Sequence, residues 1–349
     1  MEQIFRQLHN GQNLSKEQLT ALLHCDGETL SREALAVRQK HYGNEIFIRG
    51  LIEFTNYCRN DCYYCGIRCS NGKVRRYRLS EEEILTCCSR GYGLGLRTFV
   101  LQGGEDSHWS DSRMARLVEQ IKHRWPDCAL TLSVGEHDRQ TYRSWFEAGA
   151  DRYLLRHETA NAAHYQLLHP SRQSLSHRMD CLYALKEIGY QVGCGFMVGS
   201  PGQTDEHLVE DLLFIQEFKP HMVGIGPFIP HQDTPFRREA PGSVAMTLRL
   251  LSVVRLLLPQ VLLPATTALG TLLPGGREQG FLAGANVCMP NLSPMDRRKD
   301  YALYDNKLSD GAEAAECLNT LRSSIESVGF RMSLSRGDHI EFERNIPYV

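Results

Sequence analysis

Cys58, Cys62 and Cys65 stand at C-x3-C-x2-C spacing just after the apolar segment Ile46 to Phe54. Three thiolates on one short loop leave a four-coordinate metal centre with one position open for chemistry. An aromatic residue, Tyr64, precedes the last cysteine. A second reading closes the site: Cys69 completes a four-thiolate structural zinc knuckle with the other three. Closed zinc sites more often pair C-x2-C elements far apart, so the spacing favours the open site and makes Cys69 a bystander.

Other polar residues fall in short clusters. In Gln102-Gly103-Gly104-Glu105 the two glycines lack Cβ atoms, so the backbone there can approach a ligand closely. Arg156 and Glu158 lie two apart and share a face if the chain is extended, where opposite charges either pair or grip a zwitterion. Arg178, near the start of a helical pattern, is placed to bind a carboxylate, although exposed helix arginines are common. His137, His157 and His231 are candidates for proton transfer or for hydrogen-bonded structural roles. The Gly-rich run Gly193 to Gly202 is not a Walker A loop, because no Gly-Lys-Ser/Thr follows. Small residues there let an adenosine group lie against the backbone.

These clusters need a scaffold that brings them together. Eight β-rich runs occur near Ile46 to Phe54, Thr98 to Gln102, Ala129 to Val134, Arg152 to Leu155, Gln191 to Val198, Met222 to Ile229, Val261 to Ala268 and Ala285 to Met289. Helical patterns lie between them: Ser80 to Arg90, Asp111 to Arg124, Arg139 to Ala148, Ser174 to Ile188, Thr204 to Phe218 and Val244 to Leu258. Strand then helix, repeated eight times, predicts a single α/β domain, a (β/α)8 TIM barrel, with an open doubly wound sheet as the alternative. Residues 1–45 read as a helical extension with hydroxyl caps at Ser15 and Thr29, residues 46–306 as the barrel, and residues 307–349 as a C-terminal extension packed on it. In such a barrel the polar clusters follow the strand ends and meet at one mouth, together with Ser133 to Glu136, Pro230-His231, Thr266-Thr267 and Pro290-Asn291.

The 349 residues are 42% hydrophobic and 23% charged, as in an ordinary globular protein, and the net charge of −2 argues against nucleic acid or an anionic membrane as partner. The apolar stretch Leu250 to Leu269 is interrupted by Arg255, Pro259 and Pro264, which excludes a membrane span. Met1 to Lys16 lacks the apolar core of a signal peptide, so twelve cysteines point to a reducing, cytoplasmic setting.

The cysteine loop, with Gly103-Gly104-Glu105 on the second strand, resembles the radical S-adenosylmethionine (SAM) enzymes. Within them the resemblance to the HydE maturases of FeFe-hydrogenase covers Arg49 to Tyr304. It is carried by Asp151 to Ala160, Met222 to His231, Pro264 to Thr271, Pro274 to Glu278, Gly284 to Val287 and Met289-Pro290-Asn291. Biotin synthase and methylornithine synthase share weaker versions. The resemblance implies one 4Fe-4S cluster on Cys58, Cys62 and Cys65, with SAM chelating the fourth iron. It implies that Gln102, Glu158, Arg178, Met197 and Tyr301 hold SAM with Tyr64 near its adenine, that the turn Gly103 to Glu105 receives its amino group, and that Arg156 can grip a bound ligand. It further implies an interior anion or precursor site near the barrel base that includes Arg49, Thr266 and Thr267. The implied substrate is a cysteine-bound iron carbonyl cyanide from a HydG-like sister maturase, the product passing to a HydF-like scaffold, with an electron donor as further partner. Some HydE proteins carry a second cluster on three C-terminal cysteines; here those positions are Ser309, Cys317 and Thr320, so no second cluster is expected. Two other functions stay open: a radical SAM mutase acting on an amino acid, and a non-catalytic metal-binding scaffold.

Overall fold

Backbone hydrogen bonds join the β-rich runs in chain order. The computed structural model describes residues 1–309 and 311–342. It begins with α1 (Glu2–His9), α2 (Lys16–Leu23) and α3 (Gly27–Tyr42), followed by β1 (Glu45–Ile48) and β2 (Gly50–Thr55). Next come α4 (Glu81–Gly93), β3 (Thr98–Gly103), α5 (Asp111–Arg124), β4 (Ala129–Ser133), α6 (Arg139–Glu147) and β5 (Arg152–Leu154). Then follow α7 (Ala162–Leu168), α8 (Leu175–Ile188), β6 (Gln191–Cys194), β7 (Met197–Val198), α9 (Asp205–Phe218), β8 (Met222–Val223) and β9 (Gly226–Pro227). The last elements are α10 (Val244–Leu257), α11 (Thr267–Leu272), α12 (Gly276–Leu282), β10 (Val287–Cys288), α13 (Leu318–Ser327) and β11 (Arg331–Ser333).

A parallel sheet runs β2-β3-β4-β5-β6-β8. Single parallel bridges, Met222 to Leu262 and Pro264 to Val287, extend it to β10. That strand pairs in parallel with β1, and Leu51 of β2 bridges Asn291. The pairing order therefore returns to its first strand, in agreement with the barrel expectation. β3 and β4 are almost wholly buried, as strands covered on both faces must be. The seventh run departs from expectation: Pro264 has no N–H for the ladder, the pairing shrinks to two bridges, and residues from Thr267 onward are helical.

Local sequence signals set most helix starts. The capping boxes at Ser15 and Ser80 are both present. At α3 the expected hydroxyl cap is replaced: Asp26 accepts the Thr29 N–H at 2.8 Å, and the helix starts earlier, at Gly27. The N-terminal helices are sealed to α9 by Gln216, whose side chain pairs with both backbone groups of Leu14.

The N-terminal ends of the strands are closed by residues 331–338. β11 pairs in parallel with β1, from Glu45 beside Arg331 to Phe47 beside Ser333. The residues that follow cross the ring. The Arg336 carbonyl accepts from Thr98 Oγ1 at 2.8 Å and Arg152 Nη2 at 2.7 Å, while Asp338 accepts from Arg152 and Gln191, each at 2.6 Å.

Burial alone raises the Asp338 carboxyl, but Arg152 and Arg336 outweigh it and hold the group below the usual carboxylate range. A depressed carboxylate stabilises the fold above its unfolded value and loses that contribution as pH falls through the folded value. Asp338→Asn is expected to cost about 2 kcal/mol at pH 7 in urea titrations, with the difference from the parent shrinking below about pH 4. An unchanged urea midpoint at pH 7 would show that this closure contributes nothing.

Candidate active site

The C-terminal strand ends open into one chamber of about 400 Å3, and Cys58, Cys62 and Cys65 form part of its wall. The loop that carries them is held by its own polar groups. Asn56 donates to the carbonyls of Arg75 and Asp300 and accepts from Tyr77 N–H. Arg76 donates to the carbonyls of Ile67 and Arg68, and Arg68 grips Asp61 with two bonds of 2.7 and 2.6 Å. Burial raises all three thiols, Cys62 to about 12, so a metal centre must supply the charge that draws off their protons. Asn60 N–H donates to Cys58 Sγ at 3.4 Å.

Among the described residues no three cysteine, histidine or carboxylate side chains converge on a single-ion position, as a closed zinc site requires. Cys69 is exposed, lies outside the chamber and accepts from Arg172 at 3.8 Å. Three inward thiols without a fourth fit a cluster that keeps one iron for a small-molecule ligand.

Gly103 and Gly104 serve a purpose the sequence did not reveal. A Cβ on Gly104 would lie 2.2 Å from the Tyr57 carbonyl and 2.6 Å from Cys58 Cβ, and one on Gly103 would lie 2.7 Å from Thr55. For Gly104 the neighbour that needs the space is the cysteine loop itself, and for Gly103 it is the end of β2. Glu105 is likewise committed to protein groups: its carboxylate accepts from Arg59 Nε and from Glu136 N–H, both at 2.9 Å. Arg59 belongs to the cysteine loop, so Glu105 ties that loop to the ends of β3 and β4.

The remaining candidates surround the same space. Gln102, Tyr64, Met197, Arg156, Glu158, Arg178, Tyr301, Thr266 and Thr267 all line it. Arg178 is pinned by Glu136 and by the Arg156 carbonyl. Gln102 donates to Tyr301 Oη at 3.5 Å, and Tyr64 Oη meets His169 Nε2 at 3.2 Å. Met197 packs with Leu168 and Phe228 beside Tyr64, forming an apolar patch suited to a flat ring. Arg156 Nη2 and Glu158 Oε2 are 3.3 Å apart without hydrogen-bond geometry. Arg156, Glu158 and Thr266 line the chamber, and the buried atoms Arg156 Nε, Glu158 Oε2 and Thr266 Oγ1 make no hydrogen bond to the protein.

Two groups of candidates are not brought there. Arg49 is separated from Thr266 and Thr267: it lines a small cavity at the N-terminal end of the strands with Arg152 and Gln191, and donates to the Gly337 carbonyl at 3.3 Å. Arg49 precedes β2, whereas the threonines follow the seventh segment, and these are opposite ends of the ring. Leu154 is the residue that borders both spaces. None of His137, His157 and His231 lines the chamber. His137 packs on Trp145 with ring centroids 4.6 Å apart, and His231 accepts from the Asp233 N–H at 3.1 Å.

Sequence reasoning missed several wall residues. Lys307 pairs with Glu53, which also accepts from Asn291 at 2.8 Å. Glu313 accepts from Thr267 at 2.8 Å and pairs with Arg277 at 3.0 Å, and Arg277 donates to Cys288 Sγ at 3.3 Å. A carboxylate inside the apolar run Ile46 to Phe54 was the signal for Glu53; Lys307 and Glu313 lie in the tail, where no pattern points inward.

Replacing Cys58, Cys62 or Cys65 by Ala is expected to abolish iron and sulfide retention after anaerobic reconstitution, whereas Cys69→Ala retains both. Gly104→Ala should also lose the metal, because its Cβ displaces Cys58. Equal losses in Cys69→Ala would restore the four-thiolate site.

A model of the radical SAM superfamily matches residues 52–215. Over 302 residues, 86% of each chain, the sequence is 46% identical to the FeFe hydrogenase maturase subunit HydE of Thermotoga maritima. It is 31% identical to 3-methylornithine synthase of Methanosarcina acetivorans, again over 86% of each chain. The crystal structure of methylornithine synthase superposes with a TM-score of 0.84 at 28% identity, covering 95% of this chain and 97% of that one. A radical SAM enzyme by its inward cysteine loop and by these relationships, the chain belongs to the HydE family.

Proposed function

We propose that this chain is a HydE-type maturase, which cleaves SAM reductively to a 5′-deoxyadenosyl radical and processes an organometallic iron-cysteine precursor during assembly of the FeFe-hydrogenase H-cluster. The observation that carries this reading is the chamber that joins three thiols to residues whose buried polar atoms lack hydrogen-bond partners. Such atoms are costly unless a ligand meets them.

Cys58, Cys62 and Cys65 would hold a 4Fe-4S cluster, whose chemistry when bound is to deliver the electron that splits SAM. The protein residues position and shield. Glu158 lines the chamber without a hydrogen bond to its Oε2, and its carboxylate would accept from the amino or hydroxyl groups of SAM, while the Met197 patch beside Tyr64 suits the adenine. Arg156 and Thr266 would offer donors to cyanide or carboxylate acceptors of a precursor. Tyr301 and Gln102 close the wall between these regions. The precursor would come from a HydG-like enzyme and the product would pass to a HydF-like scaffold, in the cytoplasm and with an external electron donor. Cys317 is the one thiol in residues 307–349, which supports a single cluster.

A second reading, an amino-acid mutase, is favoured by the superposition on methylornithine synthase. Arg156 and Glu158 would then grip the zwitterion.

Two measurements test the first reading. Anaerobic incubation of the reconstituted protein with SAM, reductant, the two partner maturases and apo-FeFe-hydrogenase is expected to yield hydrogen evolution dependent on this chain. Formation of 5′-deoxyadenosine without hydrogenase activity would remove the maturase reading and keep the radical chemistry. Iron should saturate at about four atoms per chain, and a clearly higher value would refute the single cluster.

A further inference from the structure

Glu158 has a left-handed backbone, with φ at 66°. A non-glycine residue keeps that conformation only where its surroundings over-determine it. Its own peptide groups are engaged: N–H donates to the Gly195 carbonyl at 3.0 Å, and C=O accepts from Met197 N–H at 3.4 Å. The stronger constraint comes from its neighbours. His157 Nε2 lies 3.2 Å from Asp211 Oδ1, and the same oxygen accepts the Ala160 N–H at 2.6 Å. One carboxylate on α9 therefore ties the chain on both sides of residue 158.

The imidazole is held from the other side as well. Gly195 N–H donates to His157 Nδ1 at 3.3 Å, which places the ring proton on Nε2, where it donates to Asp211. Burial keeps the ring neutral, and it packs against Phe214 and Phe196 at centroid distances of 4.8 and 5.8 Å. His157 and Asp211 are completely buried, and Asp211 Oδ2 has no hydrogen-bond partner. An unsatisfied oxygen in the core costs stability. The benefit of the pair lies elsewhere, in the placement of the Glu158 carboxylate.

We propose that His157 and Asp211 form a positioning pair that clamps the chain around Glu158 and holds its carboxylate aimed into the chamber for SAM. The inference rests on the reading that Glu158 contacts SAM. Neither residue of the pair lines the chamber, so both act through Glu158.

The test is a double-mutant cycle on the dissociation constant for SAM, measured by equilibrium dialysis on the anaerobic holoenzyme. Asp211→Leu is expected to weaken binding about tenfold or more, Glu158→Ala at least as much, and the double variant no further than Glu158→Ala alone. Additive losses would overturn the positioning role. A Glu158→Ala variant that binds SAM normally would instead overturn the contact between Glu158 and SAM. Asp211→Asn, which keeps an acceptor for both donors, is expected to restore near-parental affinity, and failure of that rescue counts against the pair. Should Asp211→Leu not fold, His157→Asn completes the same cycle, because asparagine retains an acceptor for Gly195 N–H and drops the contact to Asp211.

Discussion

A relay of ion pairs and charge-assisted backbone hydrogen bonds holds the reactive end of this barrel in register. Arg59 of the cysteine loop meets Glu105, whose second oxygen takes the Glu136 N–H; Glu136 meets Arg178, and Arg178 caps the Arg156 carbonyl. The relay joins the ends of four consecutive strands through α8. Most of it is buried, so each partner is needed by the next, and removing one member leaves an uncompensated charge in a poorly solvated place. The cysteine loop has few apolar anchors of its own, and its position relative to Glu158 and Met197 follows from this network.

The strand and helix order was legible because the hydrophobic period changes from two to 3.6 at each crossover, and because Ser15 and Ser80 announce their helices. The seventh segment was less so: an apolar run containing Pro264 reads as a strand, although proline removes the hydrogen bonds that define one. The cysteine wall was legible for a different reason, since three thiols in eight residues have few other uses. The roles of Gly104 and Glu105 were not, because both depend on which loop lies against them in space. Arg49 illustrates the same limit: it belongs to the first strand, but which end of the ring it faces depends on register.

The chamber is built at some expense to stability. Arg156, Glu158 and Thr266 keep polar atoms out of water without giving them hydrogen bonds, and Glu158 adds an unfavourable backbone conformation. Function-bearing sites commonly depart from local rules in this way, while the surrounding fold compensates. Here the compensation is visible in the apolar strands β3 and β4 and in the arginines that cap loop carbonyls around the cysteines.

The closure of the barrel floor has a consequence for synthesis. β1 receives β11 as a neighbour, and Glu45 lies beside Arg331, so the two strands that meet there are made 286 residues apart. Until β11 and Asp338 have been made, the edge of β1 stays open and Arg152 lacks its partner. The emerging barrel therefore has an unpaired parallel edge and an exposed floor for most of its production, a state prone to mispairing with other chains. Final locking of the fold waits for β11 and Asp338 and is not set by the domain's own first half.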